Sequence, residues 1–441
     1  MKKINDLTTG NITKKLLLFT LPLLVSVMCQ QIYNIADSVI AGKFLGENSF
    51  AAIRNSYEIT LIFMAISVGS NIGCSVIISQ LFGAKNYSDM KSAVSTTFIC
   101  ASVLSVALTC IGILCLPMLL NMINTPKAIF DECCDYLVIY ILGFAFMFIY
   151  NISTGTFSSM GDSLTPLIFL VLSSVLNIVL DILFVGQGVK GIAWATFTSQ
   201  AMACILSVAV LFFRLRAIKE KASRIFSAEL LKKIANVALP SILQQSVISI
   251  GNILLQGLIN GYGTPVIAGY GAGVKLNNFT INTMTTLGNG ISAYTAQNIG
   301  AYKFERVKEG FRVGLKIGFA VALVFMLPFL IIPEYLITFF IENPTEDAIK
   351  TGCEYLRILS PFYLCAALKL VPDGVLRGSG AMKYFLIGTF SDLVIRVALA
   401  YLLSHFFGSV GIWMSWPFGW GVGMALSLFY YRKGKWKRHI V

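Results

Sequence analysis

Long apolar runs and short polar breaks alternate along the whole chain. A helix needs about 20 mostly apolar residues to cross a bilayer. Twelve runs meet that length: 15–41, 57–82, 92–116, 136–160, 164–186, 190–213, 234–260, 276–300, 311–333, 354–377, 383–404 and 408–431. The breaks carry loop chemistry, as in Gly161-Asp162-Ser163 and Asn124-Thr125-Pro126. The longest polar stretch runs from Arg214 to Lys233, midway along the chain. The pattern predicts an all-α membrane protein with twelve transmembrane helices.

The pattern also repeats. Leu21-Pro22 returns as Leu239-Pro240, and Gly73-Cys74-Ser75 as Gly290-Ile291-Ser292. Gln80-x-x-Gly83-Ala84 returns as Gln297-x-x-Gly300-Ala301, Tyr136-Leu137 as Tyr355-Leu356, and Gly188-x-x-Gly191-Ile192 as Gly408-x-x-Gly411-Ile412. Five anchors in one order, at a nearly fixed offset, indicate a duplication. The expected division is an N-terminal six-helix lobe at 1–213, a linker at 214–233 and a C-terminal six-helix lobe at 234–441. Six spans per copy is an even number, so both bundles have the same orientation, pseudo-symmetric about an axis along the membrane normal.

Composition agrees with a lipid solvent: 56% of residues are hydrophobic and 12% charged, with a mean hydropathy of +0.77. Leu16 to Ile40 is too long for a signal-peptide core and reads as the first span. The net charge of +13 comes mostly from loops and tail, where basic residues orient a membrane protein, so nucleic acid is not an expected partner. With the N-terminus inside, the outside loops hold only Lys43, Arg54, Lys127, Lys190, Lys275 and Lys350, and Lys316, Arg357, Lys369 and Arg396 lie within spans. The remaining 24 of the 34 Lys and Arg residues fall inside. This places both termini and the linker in the cytoplasm and the chain in the inner (plasma) membrane. Cysteines scattered singly in apolar runs and two histidines, His405 and His439, offer no metal site.

Ionisable groups inside spans carry the candidate chemistry. Asp37 in span 1 has Tyr33 one turn earlier and Gln30 seven residues earlier, on one helical face. Asp181 in span 5 has Asn177 and Ser174 on its face in the same way. Spans 1 and 5 both run outward and span 6 runs back, so Asp37, Asp181, Asn177 and Thr196 can share one level in the outer half of the first lobe. Two carboxylates close together in a low dielectric cannot both stay ionised cheaply, which suits a site for a proton, or for sodium where amide and hydroxyl oxygens assist. The alternative is that each aspartate is a helix-end group solvated at the headgroups; the polar stripes argue against it. The second lobe differs. Span 7 holds only Gln244, Gln245, Asn252 and Gln256, whereas span 10 carries Lys369, Asp373 and Arg377, and span 11 carries Asp392 and Arg396. Their i, i+4 spacing predicts pairing within each helix; a cavity-lining or gating network is the other reading. Gln30, Asn34, Gln245, Gln256, Asp373 and Arg396 are the candidate substrate-cleft or gating residues.

Gln30-Gln31-x-Tyr33-Asn34-x-x-Asp37, Gln80-x-x-Gly83-Ala84 and Asn177-x-x-x-Asp181 resemble the multidrug and toxic compound extrusion (MATE) transporters over essentially the whole chain. The branch related to the DNA-damage-inducible F protein is the most similar. The resemblance implies a coupling-ion site in the N-terminal lobe at Tyr33, Asp37, Asn177, Asp181 and Thr196. Another large branch has a Glu in span 7 and an Asp in span 10; Asp373 matches the Asp, but Gln245 and its neighbours offer no acid. The expected function is that of a secondary antiporter, not an enzyme. An inward H+ or Na+ gradient would drive export of amphipathic, cationic organic compounds by alternating access. A monomer with no cofactor, in contact with membrane lipid, is expected. The alternative is a lipid-linked precursor flippase of a related superfamily, for which extra spans and more mid-span cations would be expected. No HExxH, Walker A or G-x-S-x-G motif points to catalysis.

The charge asymmetry has a direct test. A cysteine replacing Ser223, in a background freed of native cysteines, should resist an impermeant thiol reagent added to intact cells. Ready labelling from outside would invert the topology.

Overall fold

A computed structural model describes residues 6–341 and 344–438, with the side chains at 34–39, 47 and 438 outside the described residues. Among the described residues every regular element is helical. The helices are α1 (Ile12–Phe44), α2 (Glu47–Gly83), α3 (Tyr87–Met122), α4 (Phe130–Ser159), α5 (Leu164–Phe184), α6 (Val189–Arg216) and α7 (Ala228–Asn260). They continue as α8 (Thr264–Gly300), α9 (Phe304–Ile331), α10 (Pro333–Thr338), α11 (Glu346–Leu359), α12 (Tyr363–Gly378), α13 (Met382–Phe407) and α14 (Ser409–Arg432). The twelve expected spans all fall on these helices, and the fold is twelve transmembrane helices in two pseudo-symmetric six-helix bundles. Span 10 is not one straight helix. It is the end of α11 plus α12, joined by a 3-10 turn at Ser360–Phe362, where Pro361 has no N–H to continue the α-helical ladder. Helices α8 and α14 carry many polar residues for membrane spans. Their polar residues, among them Asn277, Thr280, Gln297 and Asn298 on α8 and Ser415 and Ser427 on α14, are buried.

Many apolar side chains point outward. Val103, Leu114 and Met118 on α3, Val175, Val179 and Ile182 on α5, and Val394 and Phe406 on α13 are all exposed. Ser67, Ser79, Thr156, Ser159, Asp181, Asp373 and Asp392 are buried. This inversion is what a hydrocarbon solvent imposes, because lipid cannot hydrogen-bond a polar group. Inside, close packing is supplied by aromatics. Tyr355, the second copy of the Tyr-Leu anchor, is fully buried and meets Trp413 edge-on at 5.2 Å, while Tyr270 stacks on the same indole at 5.2 Å.

The duplication is visible in backbone conformation. Gly46 and Gly263 cap α2 and α8 with φ of 80° and 88°, and Gly188 and Gly408 cap α6 and α14 with φ of 70° and 60°. After α2 and α8, Lys85 and Tyr302 take left-handed conformations at φ 59° and 58°.

The chain forms two compact units. The first contains Leu21–Ile242; the second contains Leu7–Thr20 and the chain from Leu243 onward. The seams thus fall inside α1 and α7, beside Pro22 and Pro240, rather than at the polar stretch 214–233. Within the first unit the start of α7 lies against α2, so close that a Cβ on Gly73 would sit 2.7 Å from the Ala238 backbone. Within the second unit the start of α1 lies against α8, and a Cβ on Gly290 would collide with Thr20. The segments leading into both helices are tied down. Lys91 on α3 donates to the carbonyls of Ile218 and Glu220 at 2.8 and 2.7 Å, and Ser95 donates to that of Ile225 at 2.6 Å. In the second unit Gln297 accepts from the Leu7 N–H at 3.1 Å, and Lys303 and Arg306 donate to the carbonyls of Thr8 and Gly10 at 2.8 and 3.0 Å.

Gly73→Val should therefore destabilise the protein by about 1–3 kcal/mol, the usual cost of overpacking. Gly257, which has nothing within 4 Å of a built Cβ, provides the control. Thermal unfolding in detergent should show a lower Tm for Gly73→Val than for Gly257→Val; equal values would remove the close approach as a stabilising contact.

Candidate functional site

Helix α5 is anchored at its start by Asp162, which accepts from the Thr165 N–H at 3.0 Å and from its hydroxyl at 2.7 Å. Arg214, in the last turn of α6, pairs with the same carboxylate at 2.9 Å. The two helices are thereby clamped at one end, and further along the pair they present Asn177, Asp181 and Thr196 to one another. Asp181 is fully buried and Asn177 nearly so. With its amide oriented by the hydrogen-bond network, Asn177 donates to Asp181 Oδ2 at 2.9 Å and accepts from the Thr196 backbone N–H at 3.3 Å. Three of the five expected coupling residues thus form one connected set. An aspartate inside a membrane span is costly to bury, and the amide offsets part of that cost. A carboxylate so placed can take up a proton or hold a small cation. Tyr33 is half-buried on α1. The side chains of Asp37 and Asn34 lie outside the described residues, and Gln30 is exposed.

Thr196 also lines a cavity of about 20 Å³ with Tyr140, Met147, Phe197 and Gln200, among others. That is room for one water. Tyr140 and Gln200 were not among the residues expected from sequence. Gln200 stands one turn beyond Thr196 on α6, and that i, i+4 spacing is the signal that could have found it.

The second unit holds a larger cavity, about 250 Å³, lined by Gln245, Asp373, Arg396, Lys369, Arg377 and Asp392 among others. Of the i, i+4 pairs expected within helices, only Lys369–Asp373 forms, at 3.4 Å. Lys369 also reaches Asp392 on α13 at 3.4 Å, so one ammonium bridges two carboxylates on different helices. Ser427 on α14 donates to Asp373 Oδ1 at 2.5 Å. Arg377 donates to Asn289 Oδ1 at 2.5 Å, and Arg396 lies 4.2 Å over the Trp416 ring instead of pairing with Asp392. The reason is that α14 passes unusually close. A Cβ on Gly423 would sit 2.6 Å from the Lys369 side chain, and one on Gly419 would sit 2.5 Å from Asp392 Oδ1. Gly419, Gly423 and Ser427 form a small-residue stripe at i, i+4, i+8, a sequence signal for this approach. Gln256 takes no part; it is exposed and donates to Asn260 at 2.8 Å. Among the described residues no group of three His, Cys, Asp or Glu side chains could hold a metal ion.

The family model described as MatE matches residues 22–183 and 240–402, one match in each half of the chain. "Probable multidrug resistance protein YpnP" of Bacillus subtilis (strain 168) is 29% identical over 99% of this chain and 98% of its own length. "Probable multidrug resistance protein YoeA" of the same organism is 26% identical over 96% of this chain and 94% of its own. A solved outward-facing multidrug resistance MATE family transporter of the MOP superfamily superposes with a TM-score of 0.92 at 23% identity, covering 99% of this chain and 98% of that one. At that identity the likeness is one of fold.

The bridging role of Lys369 can be measured. Lys369→Met strands two buried carboxylates and should cost about 3–5 kcal/mol, the usual penalty for breaking a buried ion pair. Asp392→Asn leaves Lys369 paired with Asp373 and should cost clearly less. Equal losses of thermal stability in detergent would show that Lys369 does not hold both.

Proposed function

Because the chain belongs to the MatE family, we propose that this multi-pass membrane transporter is a cation-coupled antiporter that exports amphipathic organic compounds by alternating access. The observation that carries the coupling is the buried Asp181, held by the Asn177 amide at 2.9 Å. Asp37 joins it as the second carboxylate on the strength of the span 1 pattern, with Tyr33 and Thr196 completing the set. Export of drug-like compounds is supported by relatives bearing multidrug resistance names over nearly their full length. The distribution of Lys and Arg supports an inner (plasma) membrane location with cytoplasmic termini, and the family resemblance supports amphipathic substrates with a cationic group.

In this mechanism the coupling ion, H+ or Na+, enters from outside and neutralises the carboxylates of the first unit. Neutral and charged forms have different costs of burial, so occupancy shifts the balance between inward-open and outward-open states. Substrate binding favours the opposite occupancy, and the two affinities are reciprocally coupled. Asn177 is a positioning residue: its amide orients Asp181 while its oxygen is held by the start of α6.

Asp37→Asn and Asp181→Asn should each abolish gradient-driven efflux of a fluorescent drug from proteoliposomes, while expression and Tm stay near wild type. Asn177→Ala should weaken efflux less, because the amide need not change charge. Imposing pH and sodium gradients separately identifies the ion. Wild-type rates in both Asp variants would sink the assignment.

A further inference from the structure

The cavity of the second unit carries more positive than negative charge. Lys369, Arg377 and Arg396 stand against only Asp373 and Asp392, and Lys369 engages both of those carboxylates. Arg377 and Arg396 are 7% and 6% exposed. Among the described residues neither has a carboxylate within ion-pair distance. Arg377 binds the neutral Asn289 oxygen. Arg396 lies on the Trp416 ring, and its Nε has no hydrogen-bond partner. A buried guanidinium without counter-charge or full hydrogen bonding is costly, more so inside a membrane. Gln244 Oε1, Thr389 Oγ1, Asp373 Oδ2 and Asp392 Oδ1 on the same lining also lack hydrogen-bond partners, so it is the surplus of one positive charge that sets the sign of the ligand.

The walls say what else the ligand carries. Trp416 and Trp420 both line the cavity, with ring centroids 5.8 Å apart, and Phe385 lies on its wall below Arg377, 5.7 Å from that guanidinium. Indole and phenyl faces favour planar rings, while guanidinium edges favour planar, bidentate oxyanions. We propose that this cavity binds the anionic group, carboxylate or phosphate, of an aromatic compound, held by Arg396 and Arg377 with its ring against Trp416, Trp420 or Phe385. A bound monoanion brings the five charged side chains and ligand to neutrality; a bound cation would raise an existing surplus. The proposal widens the substrate class of the exporter, and rests on that reading only for the transport step.

The test is equilibrium binding to the full-length protein in lipid nanodiscs, with no gradient. A failure of coupling at Asp181 and a failure of this site therefore give different results. Three probes share one ring: 1-naphthoate, 1-naphthyl phosphate and 1-naphthylmethylammonium. At least one anion should bind saturably and more tightly than the ammonium compound, and the ratio of the two anions tells carboxylate from phosphate. Arg396→Gln and Arg377→Gln should each weaken anion binding about tenfold or more, the scale of one lost charged hydrogen bond. Arg396→Lys, which keeps charge but not the fork, should fall between. Should a glutamine variant not fold, Asp373→Asn carries the test: it removes a competing carboxylate and should tighten anion binding. No saturable anion binding, a preference for the ammonium probe, or unchanged affinities in the folded variants would overturn the proposal.

Discussion

The cost of placing an unpaired polar group in hydrocarbon governs this molecule. Helices meet it for the backbone by satisfying every interior N–H and C=O within one segment. For side chains it is met by leaving Leu, Val and Phe on the outer surface and turning Ser, Thr, Asn and Asp inward, into an interior that is itself largely apolar. The acidic groups retained in the interior are each held by something specific. Asp181 has the Asn177 amide, and Asp373 and Asp392 have Lys369. The interior polar groups form sites because they cannot be scattered.

Duplication gave the two units one scaffold and left their interiors free to diverge. Caps, left-handed turns and close approaches recur at matching positions, from Gly46 and Gly263 to Lys85 and Tyr302. The polar contents do not recur. The described interior of the first unit is built around a carboxylate and an amide, that of the second around five charged side chains with a surplus of guanidinium. A pseudo-symmetric frame with unlike interiors gives the two halves different chemistry, and under the proposed function the first half is the one that responds to an ion.

Much of this was legible in the sequence. The twelve spans, the repeat and the set of Asn177, Asp181 and Thr196 follow from periodicity and from depth along oppositely running helices. What was not legible depended on contacts between distant segments. The i, i+4 spacing of Asp392 and Arg396 suggested a pair, but spacing along a helix says nothing of a third helix. Gly419 and Gly423 bring α14 so close that Lys369 takes Asp392 and Trp416 takes Arg396. Similarly, hydropathy marks α1 and α7 as single spans and cannot show that each is divided between units. The break at Ser360–Phe362 was hidden because Pro361 alone does not distinguish a kink from a turn.

The division of α1 bears on how the protein is made. Leu7 leaves the ribosome 290 positions ahead of its partner Gln297. At about 5–20 residues per second, that is a wait of roughly a quarter of a minute to a minute. During this interval the first half of α1 is in or near the membrane without the helix it will pack against. The second unit cannot close until this earlier-made segment meets α8, so its closure rests on a contact between segments made far apart in time.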